Sequence, residues 1–322
     1  MYTLTADSGS TKTTWLLTAD SGASLPHITT QGINPFHMSP QDMRRIISDE
    51  LLPAIAAPQR GAITEIHFYG AGCTKEKSPI LRDILASLFP SAHSITVDSD
   101  MLGAAKALFA DQPGIACILG TGANSCLYDG KQIIANISPM GYILGDEGSG
   151  AVIGKTFLNA LYKGPHRDFI PTFEKETGLT LPVIINKVYR EPLPNRFLAS
   201  LAPFIHSHLQ DQEWIAQHVT QCFRDFFRNN VSHYTTHLSS LTPQFTSLPL
   251  RGAGGGCPSP LGGSRRGAVP PSSRGESEGG SIRGLECVGF VGSIAFHFRE
   301  QLLQAAADEG YTVSKILKEP LQ

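Results

Sequence analysis

The 322-residue chain has no CxxC pair, no HExxH motif, no run of 18 or more apolar residues and no excess of either charge. Each absence removes a class of function. Twenty-six Lys and Arg stand against 28 Asp and Glu, a formal net charge of −2, so there is no basic field to draw in nucleic acid or an anionic membrane. The six cysteines, Cys73, Cys117, Cys126, Cys222, Cys257 and Cys287, lie singly. Several fall in apolar runs, where a reduced thiol behaves as a small hydrophobe, so they read as core residues and not as ligands of a transition metal. No stretch is long enough to span a bilayer, and the N-terminus opens directly on a strand instead of a charged segment followed by an apolar one. The expectation is a cytoplasmic protein that works on a small molecule.

Two glycine hairpins are present. Asp7-Ser8-Gly9-Ser10-Thr11-Lys12 follows the apolar strand Tyr2–Ala6 and leads into Thr14-Trp15-Leu16-Leu17; Gly120-Thr121-Gly122-Ala123-Asn124 follows Ile115–Leu119 and leads into Ser125-Cys126-Leu127-Tyr128. Glycine lets backbone N–H groups approach phosphate oxygens closely, and Ser and Thr hydroxyls add donors. Asp7, at a strand end, is suited to hold a hydrated Mg²⁺. Either hairpin alone is an ordinary turn. Their recurrence in one local context reads as a duplicated strand, turn, strand unit.

The remaining pattern extends the duplication. Strands at 2–7, 13–19 and 26–32 precede a helix opened by Ser39-Pro40, with Met43, Ile46, Ile47 and Leu51 on one face. A strand at Glu65–Tyr69, a helix from Ser78-Pro79, a strand at Ser94–Val97 and a helix through Ala104 and Leu108 complete the first half. After Gly114 three strands recur at about 115–120, 125–129 and 132–137, and a helix starts near Asp146-Glu147-Gly148-Ser149. Helices dominate from about 151 to 240, and a strand at Cys287–Val291 meets Gly292-Ser293 and a final helix from about 294 to 308. Between Leu250 and Ser281, 20 of 32 residues are Gly, Pro or Ser. That composition cannot bury enough apolar area to offset its ordering entropy, so a disordered surface insertion is expected at about 248–284.

The motifs DSGSTKT, GINPF, DSDMLGAAKAL, ILGTGANSCLYDG, GYILGDEGSGAVIGK and VGFVGSIAFHF together resemble the N-acetylglucosamine kinase and benzoyl-CoA reductase activase-type ATPase family, within the actin, hexokinase and Hsp70 superfamily. The resemblance implies an α/β chain of two ribonuclease H-like domains (the actin-like ATPase fold), residues 1–113 and 114–322, with ATP in the cleft between them. It further implies an ATP-dependent carbohydrate kinase that moves the γ-phosphate of Mg-ATP to a hydroxyl of an amino sugar, N-acetylglucosamine foremost. Matched position by position, Gly9, Ser10, Thr11 and Lys12 form the first phosphate hairpin and Asp7 its Mg²⁺-organising carboxylate. Gly120, Thr121 and Gly122 form the second, and Gly292 and Ser293 the turn beside the adenosine. Asn34, Asn124 and Asp146 contact the sugar, and Asp100 takes the proton from the attacking hydroxyl. A homodimeric assembly stays open. The alternatives are an activase-type ATPase that drives a partner protein and an inactive ATP-binding homologue. In cluster-bearing activases a cysteine precedes the second hairpin in a Cys-Ala-Ala-Gly-Thr-Gly context; here Cys117 falls mid-strand.

Overall fold

The computed structural model describes residues 1–9, 11–234 and 287–321. Ser10 and the insertion expected at about 248–284 lie outside the described residues. Strand β1 (Tyr2–Ser8) alternates strictly, with Leu4, Ala6 and Ser8 buried on one face; Thr5 and Asp7 therefore point to the other. It pairs antiparallel with β2 (Lys12–Ala19), which pairs antiparallel with β3 (Ile28–Gln31). On its other edge β1 runs parallel to β4 (Ile63–Gly70), and β4 to β5 (Ser94–Ser99). The sheet order is β3-β2-β1-β4-β5.

The second sheet repeats this order. β6 (Gly114–Leu119), β7 (Ala123–Tyr128) and β8 (Ile133–Ile137) pair antiparallel in sequence, and β6 runs parallel to β9 (Cys287–Val291). The fifth strand, β10 (Thr312–Leu317), lies parallel to β9 and gives the order β10-β9-β6-β7-β8. Sequence reading expects no strand after the last helix. The register of β10 slips between Val313 and Lys315, and such an irregularity breaks the period of two by which a strand is recognised. The last helix also differs from expectation. It is split into a turn at Ser293–His297 and a helix at Arg299–Asp308, joined at Phe298, whose φ of −99° and ψ of 31° leave the helical region.

Each sheet has an outer face covered by helices. In the first, Leu4, Ala6, Ile66, Phe68 and Trp15 pack with Met43 of α1 (Pro40–Ile46) and Leu81 and Leu85 of α2 (Ser78–Leu88). The α1 helix starts as its sequence predicts, with Ser39 Oγ accepting the Asp42 N–H. In the second, Ile115, Cys117, Leu119 and Phe290 pack with Phe157 of α4 (Gly150–Lys163) and Phe223 and Phe226 of α5 (Glu213–Phe226). The helix α6 (Arg299–Asp308) adds Leu302 and Ala305 to the same cluster.

The inner faces meet across one helix, α3 (Asp100–Phe109). Its Met101, Ala104, Ala105 and Leu108 pack on Ala116, Cys126, Tyr128, Val291 and Leu317 of the second sheet. Its Gly103 lies against the first sheet, where a β-carbon would stand 2.7 Å from Tyr69 Cβ. On the second sheet a β-carbon at Gly114 would meet the Phe109 ring at 2.6 Å, and one at Gly289 at 3.0 Å. Glycines thus set the distance of α3 from both sheets. Gly103→Ala should lower stability by about 1–3 kcal/mol, the usual range for an overpacked core. Denaturant melts of the variant and the parent test this, and an unchanged midpoint would show that α3 has slack at this contact.

Candidate functional site

Strand ends bring the predicted residues to two places. In the first sheet, β1, β4 and β5 are parallel, and their carboxyl ends lie side by side: Asp7 opposite Tyr69, Tyr69 opposite Asp98, and Gly70 opposite Ser99. Open α/β sheets place ligands at this edge. Asp100 is the first residue of α3, immediately after β5; Ser99 caps the helix through the Leu102 N–H, and Asp100 Oδ1 accepts the Met101 N–H at 2.8 Å. Ser99, and not Asp100, therefore caps the helix. Asp100 is half-buried, and burial raises its pKa against the opposing pull of its backbone donors.

The first hairpin is closed by the Gly9 N–H on the Lys12 carbonyl at 3.0 Å. Gly9, Thr11 and Lys12 are exposed. Beneath them, Ser8 Oγ and Thr13 Oγ1 are buried and 2.6 Å apart, and both accept the Ile33 N–H, at 3.0 and 3.2 Å. Ser8 Oγ also donates to the Ile33 carbonyl and Thr13 Oγ1 to that of Gln31. This network pins the Gly32–Phe36 loop, and so Asn34, to the hairpin. Asn34 Oδ1 accepts the Phe36 N–H at 3.0 Å, an Asx turn. A β-carbon on Gly72, whose φ is +77°, would lie 2.0 Å from that oxygen.

The second hairpin is closed by the Gly120 N–H on the Gly122 carbonyl. The first turn of α4 holds it from behind, since the Gly150 and Ala151 N–H groups donate to the Gly120 and Thr121 carbonyls at 2.8 and 3.1 Å. Asp146 has a left-handed backbone, φ +58°, and the backbone N–H groups of Ala123 and Gly141 act on its carboxylate to lower its pKa. A β-carbon on Gly122 would stand 3.0 Å from Asp146 Oδ2. Asn124 Oδ1 accepts from the Ser125 N–H and from Asn136 Nδ2, both at 2.9 Å. Gly292 has φ +126°, and a β-carbon there would fall 2.2 Å from the Leu119 carbonyl oxygen. This turn therefore admits only glycine.

Gly120, Thr121 and Ser293 line a cavity of about 500 Å³ together with Ser200, His206 and His297. The two histidine rings are 6.0 Å apart. A second cavity of about 200 Å³ holds Thr5, Asp7, Tyr69, Lys106, Pro320 and Leu321. Asp7, Asp100, Lys12 and the first hairpin thus gather at one place, and Gly120–Gly122, Ser293, Asn124 and Asp146 at the other. Asn34 stays with the first group and makes no hydrogen bond to Asn124 or Asp146. Sequence reasoning missed Ser8 and Thr13, whose spacing across a hairpin does signal a facing pair, and His206, Lys106 and Glu319, for which no local signal exists.

The acidic groups are held under strain. Burial raises Asp7 to about 7, helped by the Asp100 and Glu319 carboxylates and opposed by Lys12. Burial raises Asp146 to about 6, with Glu147 adding and the Ala123 and Gly141 donors opposing. A carboxylate with this surplus of negative neighbours fits a divalent cation. Among the described residues no three His, Cys, Asp or Glu side chains form a group that could hold a metal ion.

No family model matches the chain, and no curated protein does. Among solved structures, a protein from Porphyromonas gingivalis provisionally named an N-acetylglucosamine kinase is 40% identical, over 99% of this chain and 95% of that one, with a TM-score of 0.78. A protein of the same provisional name from Chromobacterium violaceum is 18% identical over 97% and 94%, with a TM-score of 0.64, and shares the fold.

Asp7 supplies a stability test. In the folded chain it keeps its proton up to about pH 7, against a value of 3.8 when unperturbed. The folded state therefore loses stability as pH rises through that window. Asp7→Asn removes the loss, so it should raise the melting temperature by a few degrees at pH 8 and by less at pH 5. Equal or negative shifts at both values would show that Asp7 is not held ionised against its surroundings.

Proposed function

Because the chain belongs to the N-acetylglucosamine kinase and activase-type ATPase family of the actin-like ATPase superfamily, we propose that it is an ATP-dependent kinase of an amino sugar, with N-acetylglucosamine the first candidate. The observation that carries this reading is the duplication itself: two glycine hairpins stand at equivalent positions of two sheets of equal order, on either side of α3. Phosphoryl transfer asks for donors on the phosphates, in-line positioning and a carboxylate near the acceptor oxygen. Each requirement has a candidate here.

In this reading the N–H groups of both hairpins and the Lys12 ammonium hold the phosphates, and the larger cavity, which is of ligand size, takes the nucleoside between His206 and His297. Mg²⁺, held through Asp7, supplies charge neutralisation on the phosphates. Asn34, Asn124 and Asp146 hold sugar hydroxyls, and the Asx turn and the two backbone donors on Asp146 fix two of them before substrate arrives. Asp100 accepts the proton as the sugar oxygen attacks the γ-phosphorus. Its raised pKa strengthens it as a base, since the proton it receives is held more firmly than by an ordinary carboxylate. The buried, mid-strand position of Cys117 gives no support to a cluster-bearing activase.

ADP release with Mg-ATP against N-acetylglucosamine, N-acetylmannosamine, glucosamine, glucose and no sugar tests the proposal. Sugar-dependent turnover is expected, with Asp100→Asn reducing kcat about 10²- to 10⁴-fold. The acid limb of kcat/KM should lie above the ordinary carboxylate range, because Asp100 must be ionised and its pKa is raised. Turnover that ignores both the sugar and Asp100→Asn would overturn the kinase reading. Gly72→Ala places a methyl on Asn34 Oδ1 and forces a left-handed residue, at about 1–2 kcal/mol. It should raise the sugar KM roughly tenfold while moving that of ATP little; the reverse pattern would take Asn34 out of the sugar site.

A further inference from the structure

The chain after β10 leaves the second sheet and returns to the first hairpin. Glu319 Oε1 lies 2.6 Å from Lys12 Nζ, across 307 residues of sequence. Pro320 and Leu321 then line the small cavity with Thr5, Asp7, Tyr69 and Lys106. Lys315, on β10, donates to the Ala107 carbonyl at 3.1 Å, so the strand and its continuation run along α3. The ion pair therefore joins the two halves of the molecule at the phosphate hairpin.

We propose that Glu319 gates the first hairpin: its carboxylate holds the Lys12 ammonium in the free protein, and an incoming nucleotide phosphate must displace it to gain the same cation. The inference rests on the nucleotide reading of that hairpin. Three features carry it. Lys12 is the cation of the hairpin, and the group on it is an anion whose oxygen offers an ammonium what a phosphate oxygen offers. Both side chains are partly exposed, 54% and 34%, so the pair is weak enough to exchange; exposed pairs are typically worth about 0.2–1 kcal/mol. Glu319 also faces the like-charged Asp7, and its departure relieves that repulsion.

A double-mutant cycle decides the matter. Mg-ATP is titrated calorimetrically, without sugar, into the 322-residue protein, Glu319→Gln, Lys12→Met and the double variant. The gate predicts that Glu319→Gln binds about two- to fivefold tighter, the range an exposed pair of this strength allows, and that this gain vanishes in the Lys12→Met background. A gain of equal size in that background is plain repulsion between two anions and overturns the gate. Unchanged or weaker binding by Glu319→Gln overturns it as well, while leaving the nucleotide reading intact. Failure of all four proteins to bind Mg-ATP would remove both.

Discussion

Helix α3 is the part on which the rest of the molecule depends. It is packed on the inner faces of both sheets, and three glycines, one on the helix and one on each of two strands, hold it closer than a β-carbon would allow. A helix so placed fixes its own N-terminus relative to both sheets, and Asp100 is the first residue of that helix. The alternation of β1 turns Asp7 to the same inner face. The two carboxylates meet because of strand period and helix packing, with no local motif that pairs them.

The second half of the site is made rigid from behind. The start of α4 donates two N–H groups to carbonyls of the Gly120–Gly122 hairpin, which leaves the hairpin's own N–H groups turned away from α4. Asp146 pays for its position with a left-handed backbone, and Met140, at the far end of the same segment, has φ +59°. Such conformations persist only where surrounding contacts over-determine them, and they gather at functional sites. Here the contacts are the Asp146 N–H on the Pro139 carbonyl and the Ser149 N–H on the Asp146 carbonyl.

Much of this was legible in the letters. The hairpins, the repeated three-strand unit, the Ser39 cap, the helix start near Asp146–Ser149 and the strand-end position of Asp100 all follow from local pattern, because turns, caps and strand period are local physics. What was not legible depends on distant partners. β10 carries an irregularity that hides its alternation, the inner face of α3 cannot be told from an ordinary apolar stripe, and Glu319 reaches Lys12 only through the completed second sheet. The cavity beside Ser293 is similar. Ser200 and His206 sit at the ends of short helical turns whose apolar residues announce only a core.

The electrostatics of the first hairpin follow from these placements. Asp7, Asp100 and Glu319 share a neighbourhood with Lys12, and burial works against the two aspartates being charged. A protein selected for stability alone would replace a buried, poorly compensated carboxylate by a neutral group. Asp7 is instead held where its charge is costly and its proton is shed only near neutrality. Such an arrangement becomes favourable once positive charge arrives, and the arriving charge strengthens its own hold by ionising the carboxylate. Lys12 is the local counterweight, and Glu319 occupies it. The free protein therefore pairs its one hairpin cation with Glu319, and among the described residues Asp7 and Asp100 have no ion-pair partner of their own, so negative charge is in surplus at the hairpin.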